Sequence, residues 1–437
     1  MALGGGTWTA QNKVLPGAYI NFISASSASA ELSDRGICTM PLELNWGPEN
    51  EVFMVTNEDF QKQSKKIFGY GYDAPEMAEL RDLFMGAKTL YAYRLTSGGV
   101  KASNDYATAL YCGTRGNDLK IAVQTNIDDT QKYDVITYLD NSQVDSQTVS
   151  AATELVANDY VSFKTGASLT ATAGTPLTGG TNGTVDGTAH QDYLDKIEPY
   201  TYNTMGVCVT DNTTKKLYVA YNKRMRDEVG KKCQLVVYDY KAADYHGVIS
   251  VKNKVLDEGK SAATLVYWTT GMEAACAVNK TLQNKVYSGE FTVDADYTQP
   301  ELETAIKSGE FVFHKVNDDI RVLDDINTFV SFTDDMGEDF SSNQTIRVLD
   351  QIGNDIAVIF NTKYLGNVQN ATNGRESLWS DITKICGELQ DLQAIEDFDS
   401  STVTVEKGDT KKSVVVECGP ITVVNAMSQL YMTVKVA

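Results

Sequence analysis

The strongest constraint on the fold of this chain is a change of sequence pattern over residues 98–187. Short runs that alternate apolar and polar residues, such as LKIAVQT and YDVITYL, follow one another there, separated by Gly, Asn, Asp and Ser. A period of two predicts strands, and apart from residues 151–155 the segment has no helical pattern. It closes with the small-residue run GASLTATAGTPLTGGTNGTVDGT, which is typical of a boundary loop. The pattern predicts a β-rich module inserted into a different kind of domain.

The sequence on both sides of this module indicates alternating helices and strands. Before it, residues 58–67 and 75–85 have helical spacing and residues 89–95 are predicted as a strand. After it, the pattern predicts helices over 191–197, 213–229 and 261–282 and strands over 204–209, 234–238 and 246–251. Such spacing is typical of βα units on a mostly parallel sheet. The predicted fold class is a multi-domain α+β and α/β chain with a mixed-sheet α/β core, the inserted module, and strand-forming N- and C-terminal arms.

Length and composition shifts suggest where the domains divide. A chain of 437 residues is too long for one ordinary core. The predicted divisions are an N-terminal arm over 1–25, a first part of the α/β core over 26–97, the β-rich module over 98–187, the α/β core over 188–345, a C-terminal core domain over 346–425 and a C-terminal strand arm over 426–437.

Both ends of the chain are predicted to form strands. The last residues, LYMTVKV, alternate between an apolar side with Leu430, Met432, Val434 and Val436 and a second side with Tyr431, Thr433 and Lys435. Near the other end, AYINFI contains Tyr19, Ile20 and Phe22 after the turn pair Pro16-Gly17. Strand edges carry unpaired N–H and C=O groups, so each segment can join its own sheet or that of another copy. The residues alone leave both alternatives open.

Two amphipathic helices are predicted in the C-terminal domain. The first covers residues 344–360, with an apolar stripe of Ile346, Leu349, Ile352, Ile356 and Ile359. The second covers residues 376–392, with an apolar stripe of Leu378, Ile382, Ile385, Leu389 and Leu392. The opposite face of the second helix carries Glu376, Asp381, Lys384, Glu388 and Asp391. We expect the stripes to be buried and this charged face to be exposed.

The charge balance limits the partners of the chain. It has 58 acidic against 38 basic residues and a net charge of -20, which repels phosphate backbones, so nucleic acid is not expected as a partner. The most apolar long segment, LVYWTTGMEAACAV, is interrupted by Glu273, and no basic region followed by an apolar stretch opens the sequence. Neither a membrane span nor a signal peptide is expected.

The usual catalytic and metal-binding motifs do not occur. Seven widely spaced cysteines without a CxxC pair favour reduced, mostly buried thiols made in a cytosol. The three histidines do not form an HExxH motif, and the glycine-rich loop LTGGTNGTVDG lacks the lysine of a P-loop. Acidic pairs such as Asp324-Asp325 do not have EF-hand spacing, and surface charge is the favoured interpretation. No cofactor, metal site or catalytic residue is predicted.

Several segments, taken in order, resemble tail sheath proteins of contractile phage tails and phage-tail-like bacteriocins. They are the arm VLPGAYINF, the module opening ALYCGTRGNDLKIAV, the boundary PLTGGTNGTVDG, the helix TTGMEAACAVNKTLQNKVY, the pair IRVLDDINTFV and RVLDQIGNDI, and the terminal ITVVNAMSQLYMTVKV. Each segment is common by itself, but their order and spacing over nearly the whole chain are specific.

The resemblance implies a non-enzymatic subunit that forms stacked six-membered rings around a tail tube. It implies that the terminal arms add strands to neighbouring subunits, that the charged face of the 376–392 helix lies near the tube, and that contraction needs no ATP. The implied partners are other copies of the chain, the tail tube protein, and baseplate and tail terminator proteins. Assembly is expected in the host bacterial cytoplasm, followed by release of the phage or bacteriocin particle by lysis.

Two other classes of function fit parts of the pattern. The βα alternation would also suit an α/β enzyme with a β-rich accessory domain, although no constellation of catalytic residues supports it. The Thr-, Gly- and Asn-rich module would suit a non-contractile structural or adhesive surface protein.

Overall fold

The computed structural model describes residues 32–436 of the chain. The expected N-terminal strand with Tyr19, Ile20 and Phe22 lies outside the described residues. The α-helices are α1 Asn57–Phe68, α2 Ala78–Phe84, α3 Gly187–Ile197, α4 Asn212–Arg224, α5 Leu265–Ala275, α6 Gln299–Lys307, α7 Asn343–Ile359 and α8 Thr372–Asp391. Capping side chains set several of their starts: Thr56 and Asp59 form a capping box at α1, and Asp186 and Asp211 accept backbone N–H groups at α3 and α4.

The strands form one large sheet and several small ones. They are β1 Ile37–Leu42, β2 Val52–Thr56, β3 Thr89–Arg94, β4 Ala107–Ala109, β5 Leu119–Thr125, β6 Tyr133–Leu139, β7 Ser142–Val149, β8 Val161–Phe163, β9 Thr172–Pro176, β10 Thr204–Val207, β11 Gln234–Tyr238, β12 Val248–Val251, β13 Glu310–Phe311, β14 Phe313–Val316, β15 Asp319–Val322, β16 Ile395–Glu396, β17 Thr404–Lys407, β18 Val414–Glu417 and β19 Thr422–Val423.

The central sheet is mixed and covered by helices on both faces. Its strand order is β13-β12-β11-β10-β1-β3-β2, and all neighbours are parallel except β2 and β3. Cys38 and Met40 of β1 pack with α1, α2 and α5 on one face, whereas Met205 and Val207 of β10 pack with α3 and α4 on the other. Burial on both faces explains the continuous apolar runs in these strands. The predicted mixed-sheet α/β core is confirmed.

The β-rich module is a separate antiparallel unit with its own core. Its four-stranded sheet has the order β7-β6-β5-β9, and β4 pairs with β8 beside it. The two ends of the module meet, because Gly183 N–H donates to Thr96 O at 2.9 Å and Val100 N–H donates to Thr181 O at 3.0 Å. Trp46, which precedes the module in sequence, is buried in the module core. The module therefore leaves and rejoins the central domain at one place.

The C-terminal region packs α7 and α8 together with two hairpin-like strand pairs. β16 pairs with β19 and β17 with β18, both antiparallel, over a core that includes Ile382, Ile385 and Leu389 of α8. Leu392, predicted in the apolar stripe of this helix, is 45% exposed because it lies at the helix C-terminus, past the last turn that faces the core. Its place in the stripe was therefore predicted wrongly.

The long helix predicted over 261–282 is shorter in the structure. Helix α5 ends at Ala275, and the backbone then turns away. The carboxylate of Asp325 accepts hydrogen bonds from the backbone N–H of Leu282 and the hydroxyl of Thr281, both at 3.0 Å. A tertiary contact from a remote residue thus outweighs the local helical preference of this segment.

Candidate assembly surfaces

The C-terminal tail, residues 427–436, follows a firmly held anchor. Val424 N–H donates to Ala394 O at 3.0 Å. The amide side chain of Gln344, in the first turn of α7, accepts from Ala426 N–H and donates to Val424 O, both at 3.1 Å. Asn425 and Thr345 pair through their side chains at 3.1 Å. The backbone is therefore fixed as far as Ala426.

Beyond this anchor, the tail is extended and carries uncovered apolar side chains. Within residues 32–436, no strand includes any tail residue. Tyr431 Oη donates a hydrogen bond to Gln429 Oε1, which lies in the tail itself. The predicted apolar side is exposed: Leu430 by 86%, Met432 by 75%, Val434 by 69% and Val436 by 92%. Contiguous apolar groups left in water mark an interaction surface. The predicted terminal strand does not form within the single chain, and its pairing with another copy stays a prediction.

The charged face of α8 divides into exposed and internally bonded residues. Glu376, Lys384 and Asp391 are exposed as expected. Asp381 is not, because its carboxylate accepts hydrogen bonds from Lys363 Nζ at 2.7 Å and Tyr364 Oη at 2.5 Å. Glu388 is only partly exposed and accepts the backbone N–H of Leu32 at 3.2 Å. The expectation of one exposed charged face is therefore wrong for Asp381 and Glu388, which serve contacts within the chain.

A buried ion network joins α7 to the central domain. Arg347 of α7 donates to Glu273 Oε2 at 2.7 Å and to Asp325 Oδ2 at 3.1 Å, and all three side chains are almost fully buried. One turn further, Asp350 accepts two hydrogen bonds from Arg226, at 2.6 and 2.7 Å. Asp325 is 3% exposed, so its assignment to the solvated surface was wrong. The α7 junction, defined here by these five residues, is held by desolvated charges with matched geometry.

Burial and neighbouring charges act differently on the two carboxylates that share Arg347. Burial raises the pKa of Glu273 from 4.5 to about 8, with a further increase from the charge of Asp325 and an opposing effect of Arg347. Burial also raises the pKa of Asp325, but Arg347 and hydrogen bonds from Glu273 and Leu282 outweigh it, so the pKa lies below its ordinary value. The pair can therefore hold one proton between Glu273 and Asp325 near neutral pH.

Sequence periodicity did not reveal this junction. Ile346 and Ile359 of the predicted α7 stripe are buried, but so are Arg347, Asp350 and Asp355. A hydrophobic stripe identifies which face of a helix is apolar. It does not predict ion pairs with residues more than 70 positions away, such as Glu273 and Arg226. The acidic pair Asp324-Asp325 was the one sign in the sequence of a charged cluster here. That Arg347 is the partner of Asp325 could be seen only in the folded structure.

A cleft of about 860 Å³ lies at the carboxyl ends of β1 and β10. The strand order reverses between these two strands, which is where α/β enzymes commonly bind ligands. Here the polar groups have structural partners: His190 Nδ1 is 2.7 Å from Tyr218 Oη, Lys260 donates to Glu79, and Asp186 and Asp211 cap helices. Burial lowers the pKa of His190. The contact of His190 with Tyr218 therefore joins α3 to α4.

In residues 32–436 no group of three or more His, Cys, Asp or Glu side chains is arranged to hold a metal ion. Over the same residues, none of the helices has the length and apolar character needed to cross a membrane.

Family models of tail sheath domains match consecutive parts of the chain. The Gp18 domain III N-terminal region of tail sheath protein matches residues 35–95, and the phage tail sheath beta-sandwich domain matches residues 86–182. The phage tail sheath central domain matches residues 183–328 and the C-terminal domain matches residues 335–437.

Solved structures of sheath proteins have the same fold. The sheath tail protein of Desulfitobacterium hafniense is 39% identical with a TM-score of 0.78, over 89% of this chain and 93% of that chain. The Listeria innocua sheath tail protein is 30% identical with a TM-score of 0.78, over 91% and 93%. The contracted helical sheath of the anti-feeding prophage is 13% identical with a TM-score of 0.56, over 96% and 98%, a similarity of fold alone.

Proposed function

This chain belongs to the family of phage tail sheath proteins, and from that premise we propose that it is the repeating subunit of a contractile tail sheath. Subunits polymerise as stacked six-membered rings around a tail tube. The assembled sheath contracts from a metastable extended lattice and drives the tube through the envelope of a target cell. The role is structural and not enzymatic.

The main support for this proposal is the C-terminal tail. Its backbone is anchored as far as Ala426, while the next ten residues present exposed apolar side chains with a period of two. A strand of this kind gains backbone hydrogen bonds and a cover for Leu430, Met432, Val434 and Val436 when it joins the sheet of a neighbouring subunit. The same role is proposed for the N-terminal arm with Tyr19, Ile20 and Phe22.

A polymer follows from the geometry of such a contact. The tail of one copy meets a different surface on the next, so the contact is heterologous, and a heterologous contact that does not close generates a helix. Strands held by an anchor at one end let subunits shift relative to each other without separating. The work of contraction then comes from new subunit contacts summed over many copies, and no nucleotide is required.

Helix α8 is the proposed tube-facing element. Its exposed residues Glu376, Lys384 and Asp391 carry this role, whereas Asp381 and Glu388 stabilise the domain from within. The further partners are the tail tube protein, the baseplate and the tail terminator. Assembly takes place in the host bacterial cytoplasm, and the phage or bacteriocin particle is released by lysis.

Electron microscopy of the concentrated full-length protein tests the proposal. We expect long, hollow, striated tubes, because a heterologous contact that does not close repeats indefinitely along one axis. Co-assembly with the tube protein should give narrower tubes than the sheath protein alone. Single particles at every concentration, with and without the tube protein, would contradict the proposal.

A further inference from the structure

The fold brings together two cysteines from separate elements of the C-terminal domain. Cys386 lies in the middle of α8, and Cys418 directly follows β18. Their sulfur atoms are 3.9 Å apart, although the residues are separated by 32 positions in the sequence. All seven cysteines lie in the described part of the chain. Among residues 32–436, the thiol–thiol contact that the structure shows is the one between Cys386 and Cys418.

The two thiols differ in access and in acidity. Cys386 is fully buried, whereas Cys418 is partly exposed. With Cys386 as donor, the S–H···S hydrogen bond lowers the pKa of Cys418 from 9.0 to about 7 and raises that of Cys386. Cys418 is thus the thiol that a small molecule can reach and the one that ionises near neutral pH. Cys386 is placed behind it, out of reach of the same reagent.

We propose that Cys386 and Cys418 are a redox-active pair in which Cys418 reacts with a low-molecular-weight disulfide and Cys386 then closes an intramolecular disulfide. The Cys418 thiolate attacks one sulfur of glutathione disulfide, the S–S bond breaks, and one glutathione thiolate leaves. Cys386 then loses its proton and attacks the Cys418 sulfur of the mixed disulfide, which expels the second glutathione. The two cysteines lose two electrons and two protons, and the oxidant becomes two thiols.

Only a small movement separates the contact from a bond. A disulfide needs an S–S distance of about 2.05 Å, so the sulfurs must approach by about 2 Å. Cys418 can supply this movement, because it lies in an irregular segment between β18 and β19, whereas Cys386 is fixed in a packed helix.

The new bond would fasten the base of the C-terminal tail to α8. Cys418 lies shortly before β19, and β19 leads directly into the anchored residues Val424 and Ala426. Oxidation therefore adds a covalent link to a segment that the reduced chain holds by hydrogen bonds and a two-residue strand. This redox chemistry does not depend on the proposed sheath function.

Oxidation of the reduced, full-length protein by glutathione disulfide tests the proposal. After quenching with an alkylating reagent, we expect intact mass to show the loss of two hydrogen atoms and peptide mapping to show a Cys386–Cys418 link that dithiothreitol reverses. Persistent glutathione on Cys418 of the unaltered protein would overturn the proposal, as would disulfides that leave this pair free.

Three variants separate the roles of the two thiols. Cys386→Ala should accumulate glutathione on Cys418, because the resolving thiol is gone, while Cys418→Ser should remove the reaction. Cys208→Ser alters another partly exposed cysteine and should form the disulfide as the parent does. The pH midpoint for alkylation of Cys418 should rise in Cys386→Ala, because alanine also removes the hydrogen-bond donor. An unchanged midpoint together with no mixed disulfide in that variant would count against the pair.

Discussion

The α7 junction and the C-terminal tail meet at the same helix, yet their side chains are satisfied in opposite ways. In the junction, Arg347 and Asp350 are removed from water and paired with partners in the central domain. In the tail, Met432 and Val434 remain in water without a partner in the described chain. The junction is complete in one copy of the protein, whereas the apolar side chains of the tail are left uncovered, and their proposed contacts come from another molecule. The first turn of α7, through Gln344, links the two.

Removal of the tail should have the largest effect and should affect assembly only. If the tail adds a strand to a neighbour as proposed, deletion of residues 430–437 removes about four to six backbone hydrogen bonds at roughly 0.5–1.5 kcal/mol each. It also removes the burial of the apolar side chains, at about 1.5 kcal/mol or more for each. We expect the protein to stay folded by circular dichroism and to form no tubes by electron microscopy.

A matched pair of variants sharpens the test of the tail. Met432→Ser with Val434→Ser alters the apolar side, while Thr433→Ser with Lys435→Ser alters the other side over the same stretch. The first pair should abolish tubes and the second should retain them. Normal tubes from the deletion, or equal effects of both pairs, would contradict strand donation.

Arg347→Met should have the largest effect on stability. It leaves Glu273 and Asp325 buried without their cation, which costs about 3–5 kcal/mol of unfolding free energy. Arg321→Met removes a partly exposed ion pair with Asp319 and should cost only about 0–1 kcal/mol. Denaturant unfolding of both variants measures the difference. Similar losses of unfolding free energy in the two variants would show that burial does not set the strength of the junction.

The pH dependence of stability should report Glu273. Its pKa is about 8 in the folded protein against an ordinary 4.5, so its contribution is fully present below pH 4.5 and is lost as pH rises through about 8. Glu273→Gln removes this titration, and its stability relative to the parent should therefore increase over that pH range. Unfolding free energies measured at several pH values test this, and parallel curves would refute the assignment.

Charge reversal on α8 should have the smallest effect per subunit. Glu376→Lys with Asp391→Lys alters exposed residues and avoids Asp381 and Glu388, which bond within the chain. Each exposed contact contributes about 0–1 kcal/mol, but the contact repeats in every subunit. We expect fewer extended particles in co-assembly with the tube protein, and unchanged tubes of the sheath protein alone. The same yield and salt dependence as the parent would exclude α8 as the tube-facing element.

The sequence predicted most of the secondary structure because periodicity is a local property. The helix predicted over 344–360 is Asn343–Ile359, and the strand predicted over 234–238 is Gln234–Tyr238. The inserted β-rich module was also predicted correctly. The helix predicted over 261–282 was too long, because Asp325 binds Thr281 and Leu282 away from the helix.

What the sequence by itself determined is the order of the elements, the apolar faces of the helices and the apolar side of the tail, since each is set by the spacing of neighbouring residues. Only the tertiary structure decided which polar residues are buried and which elements meet. It placed Arg347 on Glu273, Cys386 beside Cys418, and Gln344 at the base of the tail. These contacts join residues that are far apart in the chain, so they depend on the packing of whole domains and have no periodic signal.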